Sequence, residues 1–251
     1  MSGHSHWATI RRKKGAADAK RGQVFTRLAR EIVIAAREGG GDPGSNIRLQ
    51  YAIDRARAQN MPKDNIERAI KRGIGESKDG NAYEEFYYEG YAPHGIALMI
   101  QVVTDNRNRT VADLRHILNR TGGSMAEVGS VAWQFTRKAY FDIPTDGVDA
   151  DKVFEVAVEA GADDVIINNE DIEVIGAAES FKEIADALKA ANFQLDEAEL
   201  RMMPNNEVEL STEQTLQVLR MVEQLEDLDD VQAVYSTLSV SDEVLDQLEE
   251  A

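Results

Sequence analysis

The spacing of apolar residues changes character near residue 80, and this change restricts the chain to an α+β architecture with more than one domain. Upstream, apolar side chains recur every three or four residues. Val24, Leu28, Ile32 and Ala35/Ala36 mark a first helix that stops at Gly39-Gly40-Gly41, before the turn Asp42-Pro43-Gly44. A second helix is predicted from a Ser45 or Asn46 cap to Gln59, with Leu49, Ile53 and Ala56 on one face. A third starts at Pro62, turns Ile66, Ala69 and Ile70 inward and ends at Gly73. Three short amphipathic helices predict a small bundle.

Downstream of an acidic, Gly-containing linker at 74–82, strands and helices alternate. The apolar run Ile96 to Val103 ends in the polar loop Thr104-Asp105-Asn106-Arg107-Asn108. Thr110 to Leu118 then carries Val111, Leu114 and Leu118 at helical spacing, Gly122-Gly123 stops that helix, and Val131 to Phe135 reads as a strand. From Ala139 the predicted order is strand 139–143, helix 149–160, strand 163–167, strand 171–175, helix 179–191 and strand 194–202. This βαββαβ order is ferredoxin-like. One more helix, capped by Ser211 or Thr212 with Leu216, Leu219, Val222 and Leu225 inward, precedes a strand at Val231 to Ser236. Two elements are too few for a domain, so they are expected to complete the sheet begun at 83–135. The expected fold is therefore an N-terminal three-helix domain plus two α/β sandwich domains, the ferredoxin-like one inserted in the other. The expected partition is a basic arm at 1–22, a helical bundle at 23–80, a middle domain at 81–137 and 204–240, the inserted domain at 138–203, and an acidic tail at 241–251.

Charge is distributed as unevenly as periodicity. Residues 1–72 hold 16 Lys+Arg against 7 Asp+Glu, a net of +9, whereas residues 139–251 hold 5 against 30, a net of −25. The total of −17 conceals a basic head that phosphates attract and an acidic remainder that they repel. In the arm, Arg11, Arg12, Lys13, Lys14, Lys20 and Arg21 face one anion, Asp18, with little apolar surface to bury. Long cationic stems among small residues suit separate phosphate contacts. Cations continue on the bundle at Arg27, Arg30, Arg37, Arg48, Arg55, Arg57, Lys63, Arg68, Lys71 and Arg72, and arm and bundle are expected to form one footprint. The residues assigned to nucleic-acid binding are Arg11, Arg12, Lys13, Lys14, Lys20, Arg21, Arg27, Arg30, Lys71 and Arg72.

Other chemistries find little support. The chain has no cysteine, so thiolate zinc sites and disulfides are excluded, in keeping with a cytoplasmic protein. No apolar run approaches the roughly 18 residues that span a bilayer. His4 and His6 lack ligating partners at suitable spacing, His94 and His116 are isolated, and no metal or cofactor is expected. The carboxylates form no recognisable acid/base pair, and no nucleophile-base set or phosphate-cradling Gly-Lys-Ser/Thr loop occurs, so a non-enzymatic role is expected. In a helix-turn-helix reading, the third helix offers mainly Asn65 to base edges, beside Asp64 and Glu67. In an RNA-recognition reading of the βαββαβ unit, Tyr140 and Phe141 have no aromatic counterpart in Ile172-Glu173-Val174-Ile175. The stretch Phe86-Tyr87-Tyr88-Glu89-Gly90-Tyr91 reads as packing more than base stacking. The loop Asp105 to Arg109 is a place for an anion, or simply caps its own helix.

Four segments carry a family resemblance. They are Gly3-His4-Ser5-His6-Trp7-Ala8-Thr9-Ile10-Arg11-Arg12-Lys13-Lys14-Gly15-Ala16-Ala17-Asp18-Ala19-Lys20-Arg21-Gly22, Glu89-Gly90-Tyr91-Ala92-Pro93-His94-Gly95, Thr104-Asp105-Asn106-Arg107-Asn108-Arg109-Thr110 and Gly129-Ser130-Val131-Ala132-Trp133. Together they resemble the YebC/PmpR family, although Met125-Ala126-Glu127-Val128 is less typical of it. The resemblance implies a three-domain protein with an inserted ferredoxin-like domain, and a cytoplasmic, DNA-binding role in transcription regulation. Relatives of the same sequence type, among them a mitochondrial translational activator, imply an alternative: a ribosome-associated factor that binds ribosomal RNA. The acidic domains add a third class, a module that docks on a basic protein partner.

Overall fold

The computed structural model describes residues 18–76, 83–169, 171–241 and 244, with side chains from residue 22 onward. The expected arm therefore lies outside the described residues up to residue 17, as do residues 77–82 of the linker and most of the acidic tail. Helix α1 spans Asp18–Gly39. It begins six residues before Val24, where the apolar period starts, because Ala19, Lys20 and Arg21 are good helix formers that need no buried stripe to extend a turn. Helix α2 spans Ile47–Ala58 and α3 spans Lys63–Gly73.

Leu28, Ile32, Ala35, Leu49, Ile53, Ala56, Ile66 and Ala69 close the core of this three-helix bundle. Asn46 caps α2 by accepting from the Leu49 amide at 3.1 Å, and its side-chain amide donates to the Ala35 and Gly40 carbonyls at 2.7 and 2.8 Å. One buried side chain thus satisfies orphan groups at the end of α1 and the start of α2. Gly73 sets how closely α3 approaches α1, since a Cβ there would lie 2.5 Å from the Val33 carbonyl oxygen.

The first sheet starts with β1 (Glu84–Tyr91) and β2 (Ala97–Thr104), antiparallel in register from Glu84↔Thr104 to Tyr91↔Ala97. Helix α4 spans Arg107–Thr121 and ends at Gly122, whose φ of +88° glycine adopts without strain. A short strand β3 (Ser124–Met125) pairs with β1. The predicted strand Val131 to Phe135 does not form. Ala132–Gln134 is a 3₁₀ turn and only Phe135 enters a strand, because the Val131 and Ala132 amides go to the Glu89 carboxylate and not to a ladder.

The inserted unit comprises β4 (Phe135–Pro144), α5 (Ala150–Glu159), β5 (Ala162–Ile167), β6 (Asp171–Ala177), α6 (Phe181–Ala190) and β7 (Glu197–Pro204). Its strand order β5-β6-β4-β7 is that of a ferredoxin-like sheet. Residues 136–203 form a compact unit of their own. Phe141 stacks on Phe181 of α6 with ring centroids 5.1 Å apart, which marks the helix-covered face of the sheet.

The chain then returns to the first sheet. Strand β8 (Val208–Glu209), helix α7 (Thr212–Glu226), β9 (Val231–Ser236) and β10 (Leu238–Ser239) follow, with β8 and β10 paired parallel as a small sheet of their own. Ser211 and Gln214 form a full capping box at the start of α7. Strand β9 pairs antiparallel with β2, giving the order β3-β1-β2-β9. Ile96, Leu98, Ile100 and Val102 pack with Leu114 and Leu118 of α4, with Leu219, Val222 and Leu225 of α7, and with Val234. The elements on either side of the insertion thus share one core, as the leftover helix and strand predict.

Candidate nucleic-acid interface

The cations of the bundle divide into those that hold the fold and those that face solvent. Arg30, assigned to nucleic-acid binding from sequence, is 7% exposed and pairs with Asp230 at 2.9 Å. It also donates to the Asp229 carbonyl. Asp230 in turn accepts from Arg109 at 2.7 Å, Thr104 at 3.1 Å and Thr110 at 2.7 Å. Burial pushes the Asp230 carboxyl up, but the donors Arg109 and Thr110 and the nearby Arg30 charge outweigh it and hold the group below the usual carboxylate range. Arg30 is therefore a strut between α1 and the loop before β9, with no free face for a phosphate.

Other cations are engaged in the same way. Arg48 meets Glu38 and lies 3.4 Å from Glu85, Arg55 pairs with Glu31 at 3.2 Å, and Arg57 pairs with Asp54 at 3.2 Å. Lys63 lies 3.6 Å from Glu67 on an exposed turn. Arg37 donates to the Tyr83 carbonyl, and the half-buried Arg72 guanidinium sits 4.1 Å above the Tyr83 ring. Arg27 is half-buried. Arg68 and Lys71, three residues apart on α3, are exposed and make no ion pair with the described residues. Lys20 and Arg21 belong to the first turns of α1, and Arg11, Arg12, Lys13 and Lys14 lie outside the described residues. On the bundle side, most of the cations expected to join one footprint with the arm instead close the helices onto each other and onto the sheet.

The exposed residues of α3 are Lys63, Asp64, Glu67, Arg68 and Lys71, while Asn65 is half-buried. Two carboxylates on the face a groove-reading helix presents oppose the helix-turn-helix geometry. The loop before α4 caps its own helix: Asn106 accepts from the Arg109 amide at 3.2 Å, and Arg109 reaches Asp105 and Asp230. Phe86 and Tyr88 pack against the core of the first sheet, as packing predicts. In the inserted unit, Tyr140 is buried beneath the Arg201 guanidinium, 3.7 Å from its ring, and Phe141 faces the helices. Neither ring is available to stack a base. Among the described residues no group of His, Asp and Glu is arranged to hold a metal ion. No helix among them is long and apolar enough to cross a membrane.

One functional candidate escapes sequence reasoning. Glu89, 6% exposed, accepts from the backbone amides of Gly129 at 2.6 Å, Val131 at 2.6 Å and Ala132 at 2.9 Å. Burial raises its carboxyl, yet these amides more than offset that and keep it ionised below the usual range. The pinned loop carries Val128 and Trp133 at 97% and 71% exposure. Glu89 and Trp133 both stand in segments that carry the family resemblance. A strand reading of 131–135 conceals the turn that links them.

The chain matches the family models described as TACO1/YebC protein N-terminal domain over residues 5–76 and TACO1/YebC second and third domain over residues 83–238. It is 51% identical to a protein of Geotalea uraniireducens over 99% of this chain and 100% of that one, and 48% identical to a protein of Chlorobaculum parvum over the full length of both. Each of those two is named a probable transcriptional regulatory protein. A solved structure, that of a conserved hypothetical protein from Aquifex aeolicus, superposes with a TM-score of 0.84 at 38% identity, covering 91% of this chain and 94% of that one. Both family models, together spanning the helical bundle and both four-stranded sheets, place the chain in the TACO1/YebC family.

Proposed function

We propose that this protein is a DNA-binding transcriptional regulator that grips the phosphate backbone through its N-terminal arm, with Arg68 and Lys71 of α3 extending the contact. The observation that carries this reading is the division of labour among cations. Residues 1–22 hold 6 Lys+Arg against 1 Asp+Glu, a net of +5. Most bundle cations, by contrast, meet carboxylates or carbonyl groups of the same chain. The relatives' names support regulation as the biological role. Arg30 leaves the set of phosphate contacts, and Arg72, stacked on Tyr83, becomes a peripheral one.

Replacing Arg11, Arg12, Lys13 and Lys14 together by alanine tests the arm. Each lost phosphate contact lowers the slope of log affinity against log salt by about 0.9 on duplex DNA and about 0.7 on a single strand. Four contacts remove a slope of about 3.6 on duplex DNA. A variant with an unchanged slope sinks the arm as the gripping element.

A second reading, a translation factor on ribosomal RNA, is favoured by the exposed face of α3. Asp64 and Glu67 stand there in place of base-reading amides, which suits backbone recognition of irregular RNA better than reading of a groove. Ultraviolet crosslinking in cells, recovering DNA and RNA together, separates the two. Promoter DNA supports transcription regulation, and ribosomal RNA moves the protein to translation.

A further inference from the structure

We infer that Trp133 is a stacking platform for an unpaired nucleobase, a contact that rests on the nucleic-acid reading above and adds to it a site that does not depend on charge. The indole is 71% exposed, yet it is not mobile surface decoration. Its ring nitrogen donates to the Ser130 carbonyl at 3.0 Å, which fixes the edge of the ring and leaves its plane to solvent. The Trp133 carbonyl accepts from the Asn205 side chain at 3.0 Å, and the next carbonyl, that of Gln134, accepts from the Asn205 amide at 2.7 Å. Upstream, the Glu89 carboxylate holds Gly129, Val131 and Ala132. The Tyr91 hydroxyl donates to Ser130 at 3.4 Å. The platform is thus held by backbone contacts on both sides, so the ordering cost of binding is largely met before a ligand arrives.

The surroundings select a base over an apolar protein socket. A protein hot spot centres on an aromatic anchor ringed by contacts that exclude water. Here the residues beside it in the loop are Gly129, Ser130, Ala132 and Gln134, and the one other exposed large apolar residue of the loop is Val128. A base needs only one flat face and an adjacent backbone free to bend, and it tolerates a wet, polar rim. The segment 73–138 holds 7 Lys+Arg against 8 Asp+Glu, so it neither attracts nor repels a polyanion strongly. Stacking supplies the attraction that charge does not.

The test uses the full-length protein and fluorescently labelled oligouridine, the matched oligodeoxythymidine, and a duplex of equal length. Trp133→Ala is expected to weaken binding of a single strand by roughly 5- to 150-fold, the range for one lost base stack, with the salt slope unchanged. Trp133→Phe is expected to recover most of the loss, and duplex affinity is expected to hold. A loss on either single strand, or on both, supports the platform and says which of the two strands it accepts. Single-strand affinity within twofold of the parent overturns it, and so does an equal loss on single strand and duplex. If the arm variant still binds with a reduced salt slope while Trp133→Ala changes nothing, the stacking inference fails alone. If neither substitution alters binding, the nucleic-acid reading fails with it.

Discussion

Glu173 shows what one side chain can impose on its surroundings. It sits on β6 directly opposite Asp142 of β4 in the antiparallel register, is 1% exposed, and has Asp171 two residues away on the same strand. Burial, reinforced by the Asp171 and Asp142 charges against the partial relief of Arg201, pushes its carboxyl up to about 7 from an ordinary 4.5. Between those two values the folded protein keeps a proton that the unfolded chain has released. Stability therefore falls as pH rises from 4.5 to 7 and levels off above 7, the reverse of a carboxylate whose folded value is depressed. A difference of this size corresponds to about 3 kcal/mol. Glu173→Gln has no proton to lose. The calorimetric transition of the inserted unit is expected to drop between pH 5 and pH 7.5 in the parent protein and to stay nearly level in Glu173→Gln. An equal drop in both means that other groups set the pH dependence.

At the scale of elements, the pairing of Arg30 with Asp230 ties α1 of the helical bundle to the turn that precedes β9. Asp230→Ala leaves a buried guanidinium without its counter-charge and removes the acceptor of Thr104 and Thr110, at an expected cost of about 3–5 kcal/mol in urea denaturation. Arg30→Met, which keeps the length of the stem, is expected to destabilise less and to leave the salt slope of nucleic-acid binding unchanged. A reduced slope returns Arg30 to the phosphate-binding set. This is where sequence reading reaches its limit. Periodicity sufficed for the place of α2, whose cap the sequence narrows to Ser45 or Asn46, and for the βαββαβ order, because each is encoded by local spacing of apolar residues; the return of β9 to the first sheet follows from the count of elements left over. Whether an arginine such as Arg30 points to solvent or across a core depends on a residue 200 positions away, which no local pattern records. The Glu89 loop was hidden for a related reason: Val131 and Phe135 have strand spacing, but a carboxylate some 40 residues upstream takes the amides that a ladder needs.

For the whole molecule, the insertion itself is a device for distributing charge. Residues 136–203 hold 6 Lys+Arg against 17 Asp+Glu, a net of −11, so their removal leaves −6 of the total of −17. The two ends of the insertion adjoin, since the Asn205 amide donates to the Gln134 carbonyl at 2.7 Å. A short Gly/Ser bridge from 135 to 204 can therefore close the gap without moving either flank. The first sheet keeps its order β3-β1-β2-β9 in such a protein, because none of those strands lies within the excised residues. Relieved of a net −11, the shortened protein is expected to bind a polyanion at least as tightly as the parent. The gain should be largest at low salt, where repulsion between the acidic unit and the phosphates is least screened. Fluorescence anisotropy on duplex DNA and on single strands, from 50 to 200 mM salt, reads this directly. A large loss of affinity in a protein whose remaining core still melts cooperatively shows that the inserted unit carries part of the binding surface, and that its carboxylates face away from the nucleic acid.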